Sequence, residues 1–180
     1  MEVQINTDTH GKWIILNERH CSLQRRHQKV IEESHSPAVG QQLRQGMGDT
    51  AVTAAKAVDY IGAGTVEFML SPKGDFYFLE MKTRLQVEHP VTEMTTGIDL
   101  VQKQFEMAAD LQLGIAQSAV GMSGHAIEAR IYAEDASKGF LPVVGRLALW
   151  KPPHGPGISV DSRVRHAHLV PYDSDSMNPQ

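Results

Sequence analysis

The chain has 180 residues, of which 41% are hydrophobic and 21% charged, as in an ordinary soluble globular domain. Its formal net charge of -4 gives no general attraction for nucleic acid or anionic membranes, and no apolar run is long enough to cross a bilayer. The single cysteine, Cys21, excludes an intrachain disulfide and is typical of a reducing compartment. No signal peptide is visible at the N-terminus, so we expect a cytoplasmic or mitochondrial matrix location.

Helix and strand signals alternate along the chain and predict an α+β fold with a mostly antiparallel sheet. Asp49 or Thr50 can cap one helix and Asp99 another, while Gly62 is a helix stop signal. Residues 8–11 are rich in turn-forming types and predict a tight connection between the first two strands. The expected elements are strands over 3–7 and 12–18, helices over 38–45 and 51–61, strands over 65–70 and 76–86, a helix over 100–109, a linker over 110–123, an alternating segment over 125–134 and a loop over 151–157.

The stretch FYFLEMKTRLQVEHP, residues 76–90, opens with aromatic residues that suit a half-buried strand. From residue 80 on, every second position carries a charge or an amide. Successive side chains of a strand point to opposite faces, so these groups would share one face of the sheet. The members of this row are Glu80, Lys82, Arg84, Gln86 and Glu88.

A four-residue loop over 72–75 would join the strands before and after it as a hairpin. Ser71 would then lie opposite Phe76, and Glu67 opposite Glu80, with the Cβ atoms of each pair roughly 4.5–5.5 Å apart. Two ionised carboxylates at so short a distance destabilise a sheet unless a cation lies between them. Mg²⁺ is a candidate, because it binds carboxylates together with phosphate oxygens. A solvated outer face with cross-strand ion pairs is the alternative explanation of the same pattern.

Four motifs resemble, in the right order, the biotin carboxylase component of biotin-dependent acyl-CoA carboxylases. The resemblance extends from about residue 2 to about residue 176 and implies the C-terminal part of an ATP-grasp domain over 1–116, followed by the start of the family's C-terminal subdomain over 117–180. The segment HAIEARIYAED resembles most the corresponding segment of methylcrotonyl-CoA carboxylase biotin-containing subunits, and propionyl-CoA or acetyl-CoA carboxylases are the alternatives. The four motifs are NERHCSLQRRHQKVIEE (17–33), EFMLSPKGDFYFLEMKTRLQVEHPVTEMTTGIDLVQKQ (67–104), GHAIEARIYAED (124–135) and GFLPVVGRL (139–147).

The resemblance implies an ATP-dependent ligase that uses Mg²⁺ or Mn²⁺. In this family ATP and bicarbonate give carboxyphosphate, and the carboxyl group then passes to biotin attached to its carrier. Bicarbonate needs fixed donors such as the planar fork of arginine, and an enolate needs a preorganised cation. The implied roles are metal ligation by Glu67 and Glu80, nucleotide contacts by Gln24 and His27, bicarbonate contacts by Lys29, Arg84, Gln86 and the backbone of Val87, deprotonation of bicarbonate by Glu88, and stabilisation of the biotin enolate by Arg130.

Several of these residues also have a purely structural explanation. His27, together with Arg25 and Arg26, could form a solvated basic patch on the surface. Arg130 lies in an alternating segment and could face solvent, and Glu88 could simply end a strand. The basic stretch at residues 19–29 also suggests nucleic-acid binding, which the net negative charge opposes.

The sequence departs from the family pattern in ways that bear on activity. The family's EMNTR is EMKTR here, so Lys82 replaces an asparagine that lies beside the metal. No N-terminal domain or glycine-rich ATP lid is found, and the C-terminal VPYDSDSMNPQ stops early. We therefore expect a fragment that needs further carboxylase segments or a carboxyltransferase subunit and is inactive alone. The alternative is a non-catalytic homologue that acts as a self-association or interaction module.

Overall fold

The computed structural model describes residues 1–165 and 167–170, and the chain divides into two compact units, residues 1–130 and 131–180. The first unit contains β1 (Glu2–Thr7), β2 (Trp13–Arg25), β3 (Gln28–Ser34), α1 (Gln41–Lys56), β4 (Gly62–Leu70), β5 (Phe76–Lys82), α2 (His89–Thr96), α3 (Leu100–Ala108), a short 3-10 helix (Gln117–Ala119) and β6 (Ala126–Ala129). The six strands form one antiparallel sheet in the order β5-β4-β1-β2-β3-β6, which confirms the predicted α+β class.

Two hydrophobic clusters cover opposite faces of this sheet. Val3 and Ile5 of β1 pack against α1 on one face. Ile14 and Leu16 of β2 pack against α3. Ile14 lies opposite Asn6 in the sheet, and paired residues share a face, so the cluster with α3 lies on the face away from Val3 and Ile5.

The face toward α3 also carries a row of buried polar side chains. Glu2, Gln4 and Asn6 alternate along β1 with the apolar residues that face α1, and all three are buried. Glu2 lies opposite Arg19 of β2 on one side and opposite Glu67 of β4 on the other. The central strands therefore bring charged groups side by side on one face, and this row positions the candidate site.

A single helix, α1, spans the region where the sequence predicts two helices over 38–45 and 51–61, so that prediction is wrong. Asp49 and Thr50, the expected caps, lie inside this helix, where Thr50 Oγ1 donates to the carbonyl one turn earlier at 2.8 Å. Gly62, the expected stop signal, instead lies in β4 with a φ of +120°. The helix continues through weak helix formers because its apolar face packs on the sheet, and packing outweighs propensity.

The strands around the second hairpin differ from the predicted ones. β2 continues to Arg25, beyond the predicted end at residue 18, and pairs with β3, which the sequence pattern did not predict. Arg26 and His27 make the turn with φ values of 51° and 64°, a left-handed conformation that few non-glycine residues adopt. β5 ends at Lys82 instead of near residue 86, because the chain turns away from the sheet there.

Helix α2 follows this turn and was not predicted, although its end signals are present in the sequence. Pro90 lies in its first turn, where the backbone N–H that proline lacks would have no partner within the helix. Gly97 ends it in the left-handed conformation with a φ of 71°, and its N–H donates to the carbonyl of Glu93 at 2.8 Å. The following helix, α3, begins as predicted, since Asp99 accepts a hydrogen bond from the backbone of Gln102 at 2.7 Å.

The segment over 110–123 contains only the short 3-10 helix, in agreement with the predicted linker. It is nevertheless fixed to the sheet. The side chain of Gln117 exchanges two hydrogen bonds with the backbone of Ile15, at 2.7 and 3.0 Å, and Leu113 is buried beside α3. These contacts tie the connection before β6 to the first unit.

In the part of the second compact unit that the structure describes, residues 131–165 and 167–170, the strands form two small pairs. A 3-10 helix at Ala136–Lys138 is capped by Asp135, and the predicted loop over 151–157 has neither helix nor strand. The tail DSDSMNPQ lies outside the described residues. None of the helices in the described part of the chain has the length and apolar character needed to span a bilayer. The strand pairs are β7 (Glu134–Asp135) with β8 (Leu141–Pro142), and β9 (Gly145–Arg146) with β10 (Leu169–Val170).

Candidate active site

The hairpin of β4 and β5 places Glu67 directly opposite Glu80, as the sequence predicts. The pairing near the loop differs from the prediction, because Phe76 lies opposite Leu70 and not opposite Ser71. The register then shifts by one residue between Glu67 and Phe68, so β5 contains one extra residue at this point. This bulge restores the predicted opposition of the two carboxylates.

Each of these two carboxylates already has polar partners. Glu80 forms an ion pair with Lys82 Nζ at 2.9 Å, and both side chains are partly exposed. Glu67 accepts a hydrogen bond from Gln86 Nε2 at 3.1 Å and lies 3.6 Å from Lys29 Nζ. The carboxylate oxygens of Glu67 and Glu80, on adjacent strands, suit a hard divalent cation that is also bound by phosphate. Lys82 would compete with that cation for Glu80.

The predicted row of alternating polar side chains continues along the strand only as far as Lys82. Beyond it the chain forms turns, and burial no longer alternates as on a sheet face. Gln86 and Glu88 are buried, whereas Arg84 is exposed and donates through Nη1 to the carbonyl of Leu85 at 3.1 Å. The prediction that one strand face carries the whole row is therefore wrong. The turn that leads into α2 changes the direction of Arg84, Gln86 and Glu88 relative to the strand.

Glu88 lies at the end of this turn and joins two cationic side chains. Its Oε1 accepts a hydrogen bond from Lys29 Nζ at 2.6 Å, and its Oε2 accepts one from Arg130 Nη2 at 2.8 Å. Lys29 also contacts Glu2, and Arg130 also contacts Glu32. Three residues that the sequence assigned to catalysis, Lys29, Glu88 and Arg130, are thus brought into direct contact.

The charges around Glu88 keep it ionised. Burial by itself would raise the pKa of this carboxyl group, but the charges of Arg19 and Lys29 and the hydrogen bond from Lys29 lower the pKa to about 2. Conversely, although burial acts to lower it, the carboxylates of Glu2 and Glu88 raise the pKa of Lys29. The two groups therefore form a stable ion pair over the whole neutral range.

Arg19 connects the elements that surround this ion pair. Its side chain has no exposed surface. One nitrogen, Nη1, donates to Gln4 at 2.8 Å and to Thr92 of α2 at 3.1 Å. The other, Nη2, donates to Gln86 at 3.0 Å, to Thr65 at 3.2 Å and to Glu2 at 3.3 Å. One guanidinium thus fixes β1, β4, α2 and the turn before α2 in relation to one another.

Gln24 and His27, the two predicted nucleotide contacts, lie at the margin of the charged cluster formed by Arg19, Lys29, Glu88 and their partners. Gln24 lies opposite Lys29 on β2 and β3, is exposed, and donates to the carbonyl of Cys21 at 2.9 Å. His27 is exposed in the turn of the same hairpin. The side chain of Val87 is also exposed, in keeping with a role through its backbone alone. The roles predicted for these residues stay predictions.

An open cavity of about 340 Å³ adjoins the charged cluster. Carboxylates lie on one part of its wall, and apolar side chains such as Met69 and Leu79 lie on another. This mixed lining suits a ligand that has a flat apolar part and a polar part bound to a cation. Its lining residues are Met1, Glu2, His20, Cys21, Ser22, Gln24, Ala38, Glu67, Phe68, Met69, Leu70 and Leu79.

Glu2, Cys21 and Glu88 form a buried group whose ligand atoms lie within 4.8 Å of one another, the one such group in the described part of the chain. It is a poor metal site, because both carboxylates already bind the ammonium of Lys29. Burial also raises the pKa of the Cys21 thiol, so the thiolate that a metal requires is disfavoured. The pair Glu67 and Glu80 remains the better cation site.

Four charged residues of the cluster were missed in the sequence: Glu2, Arg19, Glu32 and Glu128. For Glu2 a signal was available, since EVQINT alternates polar and apolar residues in a way that predicts one polar strand face. For Arg19 and Glu32 no local pattern distinguishes a buried charge from a solvated one. Only the sheet order, which places β1 between β4 and β2, brings these groups together.

Two family models match the sequence. The model described as carbamoyl-phosphate synthase L chain, ATP binding domain matches residues 1–116, and the model described as biotin carboxylase C-terminal domain matches residues 128–179. The compact units divide after Arg130. The predicted domain boundary between residues 116 and 117 therefore stays a prediction.

Similar proteins include carboxylases from several sources. A biotin carboxylase of Nostoc sp. is 51% identical over 176 residues, which are 97% of this chain and 39% of that protein. The mitochondrial methylcrotonoyl-CoA carboxylase subunit alpha of Rattus norvegicus is 49% identical over 178 residues, 98% of this chain and 25% of that protein. The chain thus spans less than half the length of these relatives.

A solved structure is also very similar to the chain. It is the biotin carboxylase domain dimer of Hydrogenobacter thermophilus 2-oxoglutarate carboxylase in complex with magnesium ADP, ADP and bicarbonate. The TM-score is 0.94 with 43% sequence identity, and the match covers 97% of this chain and 39% of that chain.

Replacement of Lys29 by methionine should raise the pKa of Glu88 by about one to three pH units, because a buried carboxylate loses its closest cation. Glu88 has a depressed pKa, so its contribution to stability is present above the unfolded value of 4.5 and is lost as the pH falls through about 2. In the variant this loss should occur nearer to pH 4. Carbon-13 NMR titration of the glutamate carboxyl groups is the measurement. Lys103→Met, which removes a surface partner of Glu106, is the control, and equal Glu88 titrations in all three proteins would contradict the prediction.

Proposed function

The chain belongs to the biotin carboxylase family, and from this premise we propose that it carries the bicarbonate and metal half of a biotin carboxylase active site. The complete reaction would use ATP and bicarbonate to carboxylate biotin as part of an acyl-CoA carboxylase. The observation that carries the proposal is the contact of Glu88 with both Lys29 and Arg130. In the proposed division, residues 1–116 are part of an ATP-grasp domain and residues 117–180 are part of a C-terminal subdomain.

Bicarbonate would bind where Lys29 and Glu88 now meet. The anion needs donors on one side and a proton acceptor on the other, at hydrogen-bond distance. Lys29 supplies a donor, Arg84 is exposed and can turn its guanidinium inward, and Glu88 supplies the acceptor. Gln86 and the backbone of Val87 complete the proposed set of contacts.

Binding would also change the strength of Glu88 as a base. Although burial acts to raise it, the charges of Arg19 and Lys29 and the hydrogen bond from Lys29 lower the pKa of Glu88 to about 2, which makes it a weak proton acceptor. An anion that takes over the hydrogen bonds of Lys29 would relieve part of this stabilisation and raise the proton affinity of Glu88. Activation of the base would then depend on occupation of the site by its substrate.

A magnesium or manganese ion fits Glu67 and Glu80, which would hold it against the nucleotide phosphates. When bound, the ion neutralises charge that develops on the transferred phosphoryl group. The adjoining cavity, with its apolar wall at Met69 and Leu79, is where we place the nucleotide base. Gln24 lines this cavity, and His27 would contact the nucleotide from the nearby turn between β2 and β3.

Arg130 would stabilise the enolate of biotin. Its guanidinium lies just beyond β6 and is largely shielded from water, with 15% of the side chain exposed. Preorganised donors in such a site stabilise developing negative charge without reorganisation. The ion pair with Glu88 fixes its orientation in the ligand-free chain.

A self-association module is the second candidate, and a patch on the edge strand favours it. Met69, Tyr77, Phe78 and Leu79 are all more than half exposed on β4 and β5. An exposed apolar edge of this kind is a common site of association. This candidate predicts concentration-dependent mass in light scattering together with no binding of bicarbonate.

Direct binding tests the proposed function. Carbon-13 relaxation of labelled bicarbonate should reveal binding to the 180-residue chain, and Lys29→Met should weaken it by about tenfold or more, because removing a charged hydrogen-bond donor costs about 1.5–3 kcal/mol. Lys103→Met should bind like the unaltered chain. Binding that is unchanged in Lys29→Met would reject the proposed site.

Metal affinity tests the role of Lys82. The ammonium contacts Glu80 and repels a divalent cation, so Lys82→Asn should strengthen Mn²⁺ binding by about fivefold, the equivalent of about 1 kcal/mol for an exposed ion pair. Calorimetric titration of both forms is the measurement, with Lys73→Asn in the β4–β5 loop as the control. Equal affinities in Lys82→Asn and the unaltered chain would show that Lys82 does not compete with the ion.

A further inference from the structure

Glu32 and Glu128 are an acidic pair that the proposed carboxylation leaves without a role. They lie directly opposite each other on the antiparallel strands β3 and β6. Opposed residues point to the same face with Cβ atoms roughly 4.5–5.5 Å apart. Two carboxylates at this separation repel each other unless a cation or a proton lies between them.

The surroundings of the pair shield most of it from water. Glu32 has no exposed surface, and Glu128 is half-buried. The Oε2 atom of Glu128 is enclosed and accepts no hydrogen bond from the described residues. A buried acceptor without a donor is costly, and a proton between the two carboxyl groups would remove that cost.

The available cations are already shared. Arg130 Nη2 contacts both Glu32 and Glu88 Oε2, the latter at 2.8 Å. Lys29 contacts Glu2 and Glu88, and Arg19 contacts Glu2. The inner cluster therefore has five carboxylates, those of Glu2, Glu32, Glu67, Glu88 and Glu128, for the three cations Arg19, Lys29 and Arg130.

We propose that Glu32 and Glu128 share one proton at neutral pH and form a proton-holding site beside Arg130. The proton is covalently bound to one carboxyl group and is donated as a hydrogen bond to the other. One proton reduces the excess negative charge of the inner cluster. No other reactant is needed, because the proton comes from solvent when the chain folds.

The environment of the pair raises the pKa of both carboxyl groups, as a shared proton requires. Burial, followed by the charge of Glu32, raises the pKa of Glu128 to about 7, while Arg130 acts in the opposite direction. Burial also raises the pKa of Glu32, against the lowering effect of Arg130. A pair of this kind titrates as a unit, so the step near neutral pH belongs to both groups.

Burial also raises the pKa of Glu2, but Glu2 contacts both Arg19 and Lys29, whose charges act in the opposite direction. The remaining titratable groups of the packed elements have partners of their own. Glu33, the next residue of β3, points to the opposite face and contacts His20 at 2.8 Å and His125 at 3.0 Å. In α2, His89 and Glu93 lie 4.0 Å from each other. Glu88, at the start of that helix, adds a further negative charge and raises the pKa of Glu128.

The proton determines how much positive charge Arg130 can offer. With the pair singly protonated, Arg130 is balanced by fewer carboxylates and can attract a developing enolate. With both groups ionised, the negative charge around Arg130 would oppose an anionic substrate. This consequence rests on the proposed function, whereas the sharing of the proton does not.

Carbon-13 NMR of the 180-residue chain with labelled glutamate carboxyl carbons tests the proposal. We expect two resonances that move together with a midpoint near 7. Glu32→Gln should lower the midpoint of Glu128 by at least about one pH unit, a tenfold loss of proton affinity, because its negative neighbour is removed. Glu2→Gln should leave the step in place.

Three results would overturn the proposal. All glutamates could be ionised by pH 5, the neutral step could disappear in Glu2→Gln, or the midpoint of Glu128 could be unchanged in Glu32→Gln. If a variant does not fold, the unaltered chain decides, since a single moving resonance excludes a shared proton. If the two carboxyl groups titrate together but the chain binds no bicarbonate, the shared proton would be confirmed and its effect on Arg130 in carboxylation would be rejected.

Discussion

The buried guanidinium of Arg19 is the constraint on which the rest of the site depends. A charge with no exposed surface is costly unless hydrogen bonds compensate it, and in Arg19 both Nη atoms have partners, whereas the buried Nε has none among the described residues. Its five hydrogen bonds reach β1, β4, α2 and the turn before α2. Each partner is thereby fixed in orientation, and Glu2 and Gln86 in turn contact Lys29 and Glu67. The position of Glu67 and of the turn that leads to Glu88 therefore depends on this one arginine.

The ion pairs around Glu88 explain how so strongly charged a site is stable. Lys29 and Arg130 are held by Glu88, one on each oxygen, so each of these cations has a partner. The hydrogen bond from Lys29 and the charges of Arg19 and Lys29 weaken Glu88 as a base, because they outweigh the effect of burial and stabilise its ionised form. In the proposed function, the anion exchanges these contacts for its own and thereby makes the carboxylate more basic. Stability of the free chain and activation of the base thus depend on the same ion pairs.

Local signals predicted some parts of this site well and others not at all. The opposition of Glu67 and Glu80 could be predicted because alternation and turn chemistry act over a few residues, although the bulge that restores the register could not. The Asp99 cap was predictable for the same reason. The two helices predicted in place of α1 failed because packing on the sheet outweighed the local cap signals. Arg19, Glu32 and Glu128 were missed because their burial depends on the order of the strands, which no local pattern contains.

A crystal structure of this chain soaked with bicarbonate tests the central claim most directly. We expect the anion beside Lys29 Nζ and within hydrogen-bond distance of Glu88, with the guanidinium of Arg84 turned away from the carbonyl of Leu85 and toward the ligand. The hydrogen bond between Lys29 and Glu88, 2.6 Å in the free chain, should lengthen or break, while the five hydrogen bonds of Arg19 should be unchanged. An anion bound elsewhere, with the contacts of Lys29 and Arg130 to Glu88 intact, would contradict the assignment of Glu88 as the base that bicarbonate activates.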